Sequence, residues 1–430
     1  MVRDKLTMSS LSRIKTGQKI ADSFKHVPKL GPKVVLFTGG TGSRFLAQAL
    51  TFFTHNTAHV INVADSGGST RELRIFFKML AIGDFRSRLV DLADKESPGY
   101  KQVRDLLLYR LPKEANREEL VSELESIISG KHNLIKNIRD SNKAEADDMA
   151  NILISHLRDF NDKRSQKETA GNLKFDLRGA SIGNLFLAGA YFYYGENIHK
   201  AIDEYKQLAN VQGNVIPATL ADIHLAAQMA DGDQLIGQHL ITKSDHGPVE
   251  RLWYVAQERA DATIIHPQAD DRALVAIADA DLIAYSIGSF WTSIVSTLQI
   301  NGYAAAIRAA QAPKVLLTNA YEDKETVGMT VGDMVNTTLQ ILRENDSQRA
   351  GNDNAYLDAV ISNTLRPSPS TRRFVKFDRA RIVREHPQVE VYGEKLLGPK
   401  LPGTEHRYYD PQKMAFALFS FLPPTSQVNI

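Results

Sequence analysis

The chain has 430 residues, 43% hydrophobic and 24% charged, which is typical of a globular protein with a buried core. The 52 Lys and Arg residues nearly balance 50 Asp and Glu residues, and the net charge of +2 excludes a global positive field for nucleic acid or an anionic membrane. There is no cysteine, which excludes disulfides, thiolate nucleophiles and Cys-ligated metals. No run approaches the roughly 20 apolar residues of a membrane helix. We expect a cytoplasmic protein that binds neither membrane nor nucleic acid.

Residues 1–30 are predicted to form a basic N-terminal arm. The segment contains seven Lys or Arg residues and two Asp residues, and no apolar stretch of the kind found in secretory signals follows it. We interpret it as a frayed or loosely docked arm. A partner-binding arm stays an alternative, although most runs of charge are simply solvated.

Two βαβ units are predicted, one near the start of the chain and one after its middle. Residues 33–38 form a β-branched and aromatic run that ends at glycines, a helical period follows from Arg44, and a second run covers residues 59–64. The same order returns from residues 281–286, through a helical stretch, to residues 314–319. Such units form parallel sheets. The predicted fold class is therefore α/β, with a Rossmann-like, open and mainly parallel sheet and helices on both faces.

Between these units the sequence predicts a helical insertion over residues 113–165, projecting from the sheet domain. Apolar residues recur there at helical spacing among many charged residues. The insertion divides the core domain into residues 31–112 and 166–345. Charged amphipathic helices usually present solvated faces, and a docking surface for a protein partner is the alternative.

The remaining segments are predicted from turn and capping signals. Residues 214–242 are interpreted as short strands around turns, an antiparallel extension of the sheet. Residues 346–372 are rich in Asn, Ser, Pro and charge and are predicted to be a loop or linker. Residues 346–430 would then comprise this linker and a segment that returns to the core. That segment is predicted to close with a helix from Pro411, with Asp410 as its N-cap.

The turn after the first predicted strand is the strongest candidate for binding an anion. Glycines let the backbone approach a phosphate closely, and a helix N-terminus presents unpaired N–H groups. The pattern is not the dinucleotide fingerprint, because Phe45 stands where the third glycine belongs, and it lacks the Lys-Ser/Thr pair of a P-loop. A tight turn without a ligand is the alternative. The candidate residues are Gly39, Gly40, Thr41, Gly42 and Ser43.

A second glycine turn follows the second predicted strand, with Asp65 at its head and Gly67, Gly68 and Ser69 behind it. Ligands of open parallel sheets bind outside the carboxyl ends of the strands, so both turns are expected to face one crevice. Asp65 could bind a ribose hydroxyl, hold Mg²⁺ against a diphosphate or act as a base. The alternative is a turn-forming aspartate.

Three further helix starts carry residues suited to anions or hydroxyl groups. Asp84 is predicted to cap its helix, and Arg86 and Arg88 would oppose the helix dipole unless they answer a bound anion. Capping alone is the alternative at the other two starts. The histidines show no zinc spacing, and no nucleophile elbow occurs. The candidates at these starts are Asp84, Arg86, Asn184, Gly288 and Ser289.

Seven short motifs in this order resemble the CofD-like family. It includes the 2-phospho-L-lactate transferases of coenzyme F420 biosynthesis and the YvcK-type proteins of bacterial carbon partitioning and cell shape. The resemblance covers residues 34–342, with a weaker echo at residues 406–418. The motifs are GGTG at 39–42, VADSGGS at 63–69, GDFR at 83–86, SIGNL at 181–185, VIPAT at 215–219, GSFWTS at 288–293 and TVGMT at 326–330.

The resemblance implies a nucleotide or nucleotide-linked donor, with the glycine turn on phosphate and with Asp65 and Asp84 as catalytic acids near a Mg²⁺ ion. In the transferase branch, a phospholactyl group moves from a nucleotide diphosphate donor to an alcohol, and a nucleoside monophosphate leaves. Mg²⁺ on the diphosphate would stabilise the charge of the leaving phosphate. In the YvcK branch, the same pocket resembles a sensor of nucleotide sugars without established turnover.

The sequence departs from the family at Ser66, where YvcK-type loops carry a second acid, and at Ser286-Ile287, where relatives have Gly-Pro. The leading hypothesis is a Mg²⁺-dependent, nucleotide-binding transferase. The alternatives are a non-enzymatic regulator that binds a nucleotide sugar and a degenerate relative with an empty pocket. Expected partners are a nucleotide-linked small molecule, a second copy of the chain in a homodimer, and a protein docked on residues 113–165.

Overall fold

The computed structural model describes residues 10–40, 42–96, 99–141, 144–349, 351–367, 372–400 and 407–423. In chain order, the strands of these residues are β1 (Val34–Thr38), β2 (Thr57–Ile61), β3 (Asn214–Pro217), β4 (His224–Met229), β5 (Gln234–Ile236), β6 (Val249–Val255), β7 (Ile264–Ile265), β8 (Leu282–Tyr285), β9 (Lys314–Leu317), β10 (Ala359–Asn363), β11 (Glu390–Glu394), β12 (Leu397–Lys400) and β13 (Arg407–Tyr409).

The α-helices of the same residues are α1 (Ser10–Phe24), α2 (Arg44–Leu50), α3 (Gly68–Phe77), α4 (Gly83–Leu92), α5 (Tyr100–Leu108), α6 (Arg117–Ile128), α7 (Asn133–Arg139), α8 (Ala146–Ala170), α9 (Ile182–Tyr193), α10 (Ile198–Leu208), α11 (Gln238–Lys243), α12 (Asp271–Ala278), α13 (Ser296–Leu298), α14 (Tyr303–Ala309), α15 (Val331–Glu344), α16 (Arg379–Glu385) and α17 (Pro411–Phe419). A π-helical segment, Phe290–Val295, leads into α13. Among the described residues, none of these helices is long and apolar enough to span a membrane.

The central sheet contains seven of the described strands in the order β11-β10-β9-β8-β1-β2-β3. Every neighbouring pair in it is parallel, which confirms the predicted α/β class. From β1 the chain passes to β2 and β3 on one side, and it later returns to β8 on the other side. The topological switch point therefore lies between β1 and β8, where open α/β sheets bind their ligands.

Alternate side chains of β1 divide the core into two layers. Val35 and Phe37 belong to a large apolar cluster that includes residues of α3, α4, α5 and α9. Val34 and Leu36 belong to a second cluster with residues of α1, α2 and α17. This period of two is what a strand buried on both faces produces. The predicted arrangement, a sheet with helices on both faces, is confirmed.

The N-terminal segment differs from the expected loose arm. Residues 10–24 form α1, which packs against α17 with Ile20, Ala21 and Phe24 buried. The two helices approach closely at Gly17, where an added Cβ would lie 1.7 Å from the backbone oxygen of Phe416. The prediction of a loosely docked arm is therefore wrong for residues 10–24, because the apolar residues share one helix face. Residues 1–9 lie outside the described part of the chain.

Residues of the predicted insertion are helical, in α6, α7 and α8, and α8 continues past residue 165 to Ala170. Leu124, Leu153 and Phe160 belong to the same apolar cluster as β1. The helices therefore form an outer layer of the core rather than a projection from it. The docking surface on them and the division of the chain into domains stay predictions.

The segment predicted as short strands splits between two sheets. β3 extends the central sheet in parallel, which corrects the expected antiparallel extension. β4, β5, β6 and β7 form a separate antiparallel sheet in the order β5-β4-β6-β7. Residues 238–243 form α11 instead of a strand, after a turn in which Gly237 has a φ of 107°.

The predicted linker contains β10, so that prediction is wrong for residues 359–363. All five residues of this strand are buried between β9 and β11. A run this short inside a polar stretch gives little periodic signal. The predicted closing helix is confirmed as α17, and the side chain of Asp410 accepts hydrogen bonds from the backbone N–H groups of Gln412 and Lys413, each at 3.1 Å.

Candidate functional site

The glycine turn after β1 is held from beneath by Arg88 of α4. Arg88 is fully buried, and its Nη2 donates to the backbone oxygens of Gly39 and Gly40 at 2.9 and 3.2 Å. The same nitrogen donates to Ser43 Oγ at 2.6 Å. Asp91 balances the charge, with Oδ2 3.8 Å from Nη1. The guanidinium that we expected to answer a bound anion therefore shapes the turn itself.

Close packing on both sides requires glycine in this turn. The turn touches the loop after β8 on one side and the start of α4 on the other. Thr41, which we predicted as part of the site, lies outside the described residues. An added Cβ would lie 2.3 Å from Ser293 Oγ at Gly39, 2.2 Å from Asp84 Oδ1 at Gly40 and 2.8 Å from Gly288 Cα at Gly42.

Asp65 and Asp84 meet beside the turn. Asp84 lies in the first turn of α4, where no side chain caps the helix, so the predicted capping role is wrong. A Cβ added at Gly83 would lie 2.7 Å from Asp65 Oδ2, which places that carboxylate beside the residue that precedes Asp84. Burial raises the pKa of Asp84 to about 7, and the charge of Asp65 adds to this rise. Burial also raises the pKa of Asp65. Asp84 is thus costly to ionise while Asp65 is charged, and burial alone makes Asp65 harder to ionise.

The loop that carries Asp65 orients its carboxylate through its own residues. The backbone N–H of Gly67 donates to Oδ1 at 3.0 Å, and the Thr70 hydroxyl also bonds the carboxylate. Arg74 Nη1 donates to the backbone oxygen of Asp65 at 3.1 Å. Gly67 and Gly68 are exposed, and a Cβ added at Gly68 would meet no atom within 4 Å. They form the open rim of the acidic side of the site.

Three other predicted residues form a hydrogen-bonded row next to the acids. Asn184 Oδ1 accepts from Arg86 Nε at 3.2 Å, and Asn184 Nδ2 donates to Ser69 Oγ at 2.9 Å. Asn184 and Ser69 are buried, and Arg86 is partly exposed. The row ties the starts of α3, α4 and α9 together. It also places the positive charge of Arg86 near Asp84. This charge lowers the pKa of Asp84 and so offsets part of its rise.

A cavity of about 500 Å³ lies on the other side of the glycine turn. The predicted residues Gly42, Gly288 and Ser289 line it at the switch point of the sheet. Its walls come from α2, the loop after β9, residue 372 and the segments around β12, β13 and α17. Arginine and aromatic side chains are prominent among these walls, namely Arg44, Phe45, Tyr321, Arg372, Arg407 and Tyr408.

Aromatic rings and guanidinium groups are layered at this cavity. Tyr321 stacks on Phe374 with ring centroids 4.7 Å apart, and the Arg372 guanidinium lies 5.4 Å from the Tyr321 centroid. Phe45 meets Tyr408 edge to face at 5.9 Å, and these two residues are 41% and 38% exposed. Such walls suit a ligand that has both a flat apolar part and negative charge.

We did not predict these wall residues, because they come from segments that only the fold brings together. The weak family echo at residues 406–418 is the one signal in the sequence that covers Arg407 and Tyr408. Ser43, in contrast, is a predicted residue whose hydroxyl faces inward, where it contacts Thr38 and Arg88. The other predicted residues within the described chain form one continuous region around the glycine turn.

The geometry defines an α/β protein with a Rossmann-like parallel sheet and a candidate site at the switch point between β1 and β8. The profile of the family described as 2-phospho-L-lactate transferase CofD matches residues 34–397. The chain belongs to this family.

The names of two relatives differ from the description of the family. The chain is 28% identical to the gluconeogenesis factor of Bacillus subtilis, over 72% of this chain and 74% of the relative. It is 30% identical to a candidate gluconeogenesis factor of Thermoanaerobacterium thermosulfurigenes, over 69% of this chain and 71% of the relative. A crystal structure of a UPF0052 family protein from Bacillus halodurans matches with a TM-score of 0.63 at 22% identity, over 90% of this chain and 98% of that chain. The structural likeness confirms the fold.

Proposed function

We propose that this protein binds a nucleotide diphosphate donor across the glycine turn and transfers a phosphate-containing group from it to an alcohol, with release of a nucleoside monophosphate. One contact carries the proposal: the carboxylate of Asp84 lies directly against Gly40, in the turn suited to phosphate. A phosphate bound at the turn and the carboxylate of Asp84 would repel each other, and a divalent cation between them removes the repulsion. Carboxylates together with substrate phosphates are the usual oxygen ligands of Mg²⁺.

Asp65 and Asp84 fit such an ion. Both carboxylates resist ionisation without a positive partner, and the exposed rim at Gly67 and Gly68 leaves room for water and phosphate oxygens. When bound there, Mg²⁺ would stabilise negative charge that develops on the leaving phosphate. Asp65 would keep its orientation through the N–H of Gly67, and Arg86 would supply fixed positive charge next to the acids.

The cavity on the other side of the turn is the proposed place for the nucleoside or sugar part of the ligand. Its volume of about 500 Å³ falls in the range of small-molecule sites. Phe45 and Tyr408 offer partly exposed rings, and Arg44, Arg372 and Arg407 offer positive charge at the same walls. A ligand that spans both sides would therefore place its phosphates over the turn.

A regulator that binds a nucleotide sugar without turnover is the second candidate. The relatives named gluconeogenesis factors favour it. Ser66 favours it too, because the residue after Asp65 bonds His239 instead of adding another carboxylate to the acid pair.

Thermal unfolding with a ligand panel tests the proposal. We would use GDP, GTP, UDP-glucose, UDP-N-acetylglucosamine and NAD, each with and without Mg²⁺. A ligand at 100 times its Kd stabilises the fold by about 2.7 kcal/mol, which shifts the midpoint by several degrees. A Mg²⁺-dependent shift with a guanosine nucleotide would support the transferase. A shift with a UDP-sugar that is the same with and without Mg²⁺ would support the regulator. No shift with any ligand would contradict both proposals.

The variant Asp65→Ala tests whether the cation binds at the acid pair. We expect the variant to remain folded, as judged by circular dichroism, and to lose the Mg²⁺-dependent part of the shift. The control is Asp231→Asn, because Asp231, Asp233 and His246 form an exposed group in the described chain whose ligand atoms lie within 4.8 Å of one another. Full Mg²⁺ dependence in Asp65→Ala, or its loss in Asp231→Asn alone, would refute the assigned role of Asp65.

A further inference from the structure

Ser66 links the loop of Asp65 to a distant part of the chain. Its side chain is buried, and its Oγ accepts a hydrogen bond from the backbone N–H of His239 at 3.1 Å. The same oxygen lies 2.9 Å from the ring Nδ1 of His239. His239 is the second residue of α11, so the two bonds join the end of β2 to the segment beside the antiparallel sheet. The hydroxyl of Ser66 therefore bonds His239, which is not part of the acid pair.

The backbone before α11 is shaped to bring His239 to this place. His239 Nδ1 lies 3.5 Å from Glu258 Oε1, in the connection between β6 and β7. A Cβ added at Gly237 would lie 2.2 Å from the same Glu258 oxygen and 3.1 Å from His239 Cε1. Because Gly237 also has a φ of 107°, a side chain there would be both strained and obstructed.

The far end of α11 is fixed as well. Thr242 Oγ1 donates to Glu325 Oε1 at 3.1 Å, and Glu325 is buried. Lys324 Nζ donates to the backbone oxygen of Lys243 at 3.0 Å. The helix is thus anchored to the loop after β9, and His239 presents a stationary partner to Ser66.

We propose that His239 is a positioning residue that fixes the loop of Asp65, and so the direction of its carboxylate, through Ser66. The other bonds to this carboxylate come from residues 67 and 70, which follow it closely in the chain and move with it. The bonds from His239 come from outside the loop and can hold it against the protein. This inference rests on the proposed function only in that Asp65 is taken to hold a divalent cation.

Two measurements test the inference on the full chain. The first is hydrogen exchange of the peptide that contains residues 65–70, without any ligand. The second is the Kd of Mn²⁺, a paramagnetic substitute for Mg²⁺, from the electron paramagnetic resonance signal of the free ion. The variants are Ser66→Ala, His239→Ala, the double variant and His239→Asn, whose amide occupies the position of the ring Nδ1. His246→Ala is the control, because His246 lies in the same region but pairs with Asp231 and Asp233.

We expect Ser66→Ala and His239→Ala each to speed hydrogen exchange of the peptide. Each should also raise the Kd of Mn²⁺ by about threefold to tenfold, the factor that one net hydrogen bond provides. The double variant should be no worse than Ser66→Ala, because loss of the serine hydroxyl already removes both bonds, whereas His239→Ala keeps the bond from the backbone N–H. His239→Asn should restore at least half of the lost affinity on a logarithmic scale, and His246→Ala should match the wild type.

Additive effects of the two single variants, or wild-type exchange and affinity in both, would overturn the positioning role while the cation site stands. Failure of the wild type to bind Mn²⁺ would overturn the cation site together with this role. A loss in His239→Ala that His239→Asn does not restore would mean that His239 acts by packing alone, and it would also overturn the inference.

Discussion

The two sides of the glycine turn are built in different ways. On the acidic side, Asp65 and Asp84 come from the loop before α3 and the start of α4, and each sits within a short motif. On the cavity side, the walls come from α2, the loop after β9 and the segments around β12, β13 and α17. The acidic side offers carboxylates among hydrogen-bonded neighbours. The cavity side offers aromatic rings that are partly exposed to solvent, together with guanidinium groups.

This difference separates two tasks that a nucleotide site has to perform. Holding a phosphate and a cation requires a few groups in fixed positions, which short loops at strand ends can supply. Recognising a base, sugar or other attached group requires shape, which walls from several segments can supply. If the two sides perform these separate tasks, variants of one side should change cation dependence and variants of the other should change affinity alone.

Arg88→Met should break both sides at once and have the largest effect. The buried guanidinium donates to the oxygens of Gly39, Gly40 and Ser43, so its removal leaves the two backbone oxygens without this donor. It also removes one of the two arginines beside the buried Asp91, which keeps only Arg44, at 2.8 Å. We expect a loss of about 3–5 kcal/mol in the free energy of unfolding, measured with urea. Arg71→Met, an exposed arginine 4.0 Å from Glu72, should change it by less than about 0.5 kcal/mol. Equal losses in both variants would show that the buried position of Arg88 has no special role.

The sequence predicted the acidic side better than the cavity side for a physical reason. The motifs at residues 39–42, 63–69 and 83–86 follow strands or begin helices, and parallel strands bring such ends to one edge. Arg372 and Tyr408 stand in no such motif, and they reach the cavity through β10, which we predicted as linker, and through the β12–β13 pair. The burial of Arg88 beneath the turn was equally hidden, because spacing along α4 does not reveal which face meets the sheet.

Glu325→Gln should remove a pH dependence of stability that comes from a buried acid in the loop after β9. Burial raises the pKa of Glu325 to about 7 from 4.5, and the charge of Asp323, which lines the cavity, adds to the rise. A carboxyl group whose pKa is higher in the folded state disfavours folding once it is ionised. The cost is absent below about pH 4.5, grows up to about pH 7 and is then constant at about 3 kcal/mol.

The urea stability of the wild type should therefore fall relative to Glu325→Gln between pH 5 and pH 8. The backbone N–H of Thr292 donates to Glu325 Oε2 at 3.0 Å, and the amide oxygen of the variant can still accept this hydrogen bond. Glu322→Gln, in the same loop, is the matched control and should follow the wild type. Parallel curves for the wild type and Glu325→Gln would contradict the raised pKa of Glu325.

Phe45→Ala should have the smallest effect and test the separation most directly. Phe45 lines the cavity next to Tyr408 and contacts neither acid in the proposed arrangement, so the nucleotide Kd should rise about tenfold, as expected from the loss of one aromatic surface. The ratio of Kd values with and without Mg²⁺ should stay at the wild-type value in isothermal titration. Phe52→Ala removes a ring that is 63% exposed and follows α2 outside the cavity, and it should leave both quantities unchanged. A changed ratio of Kd values with and without Mg²⁺ in Phe45→Ala would mean that the ring also orders the phosphates, because the ligand shifts over the turn when its other end loses support. The two sides would then have to be treated as one site.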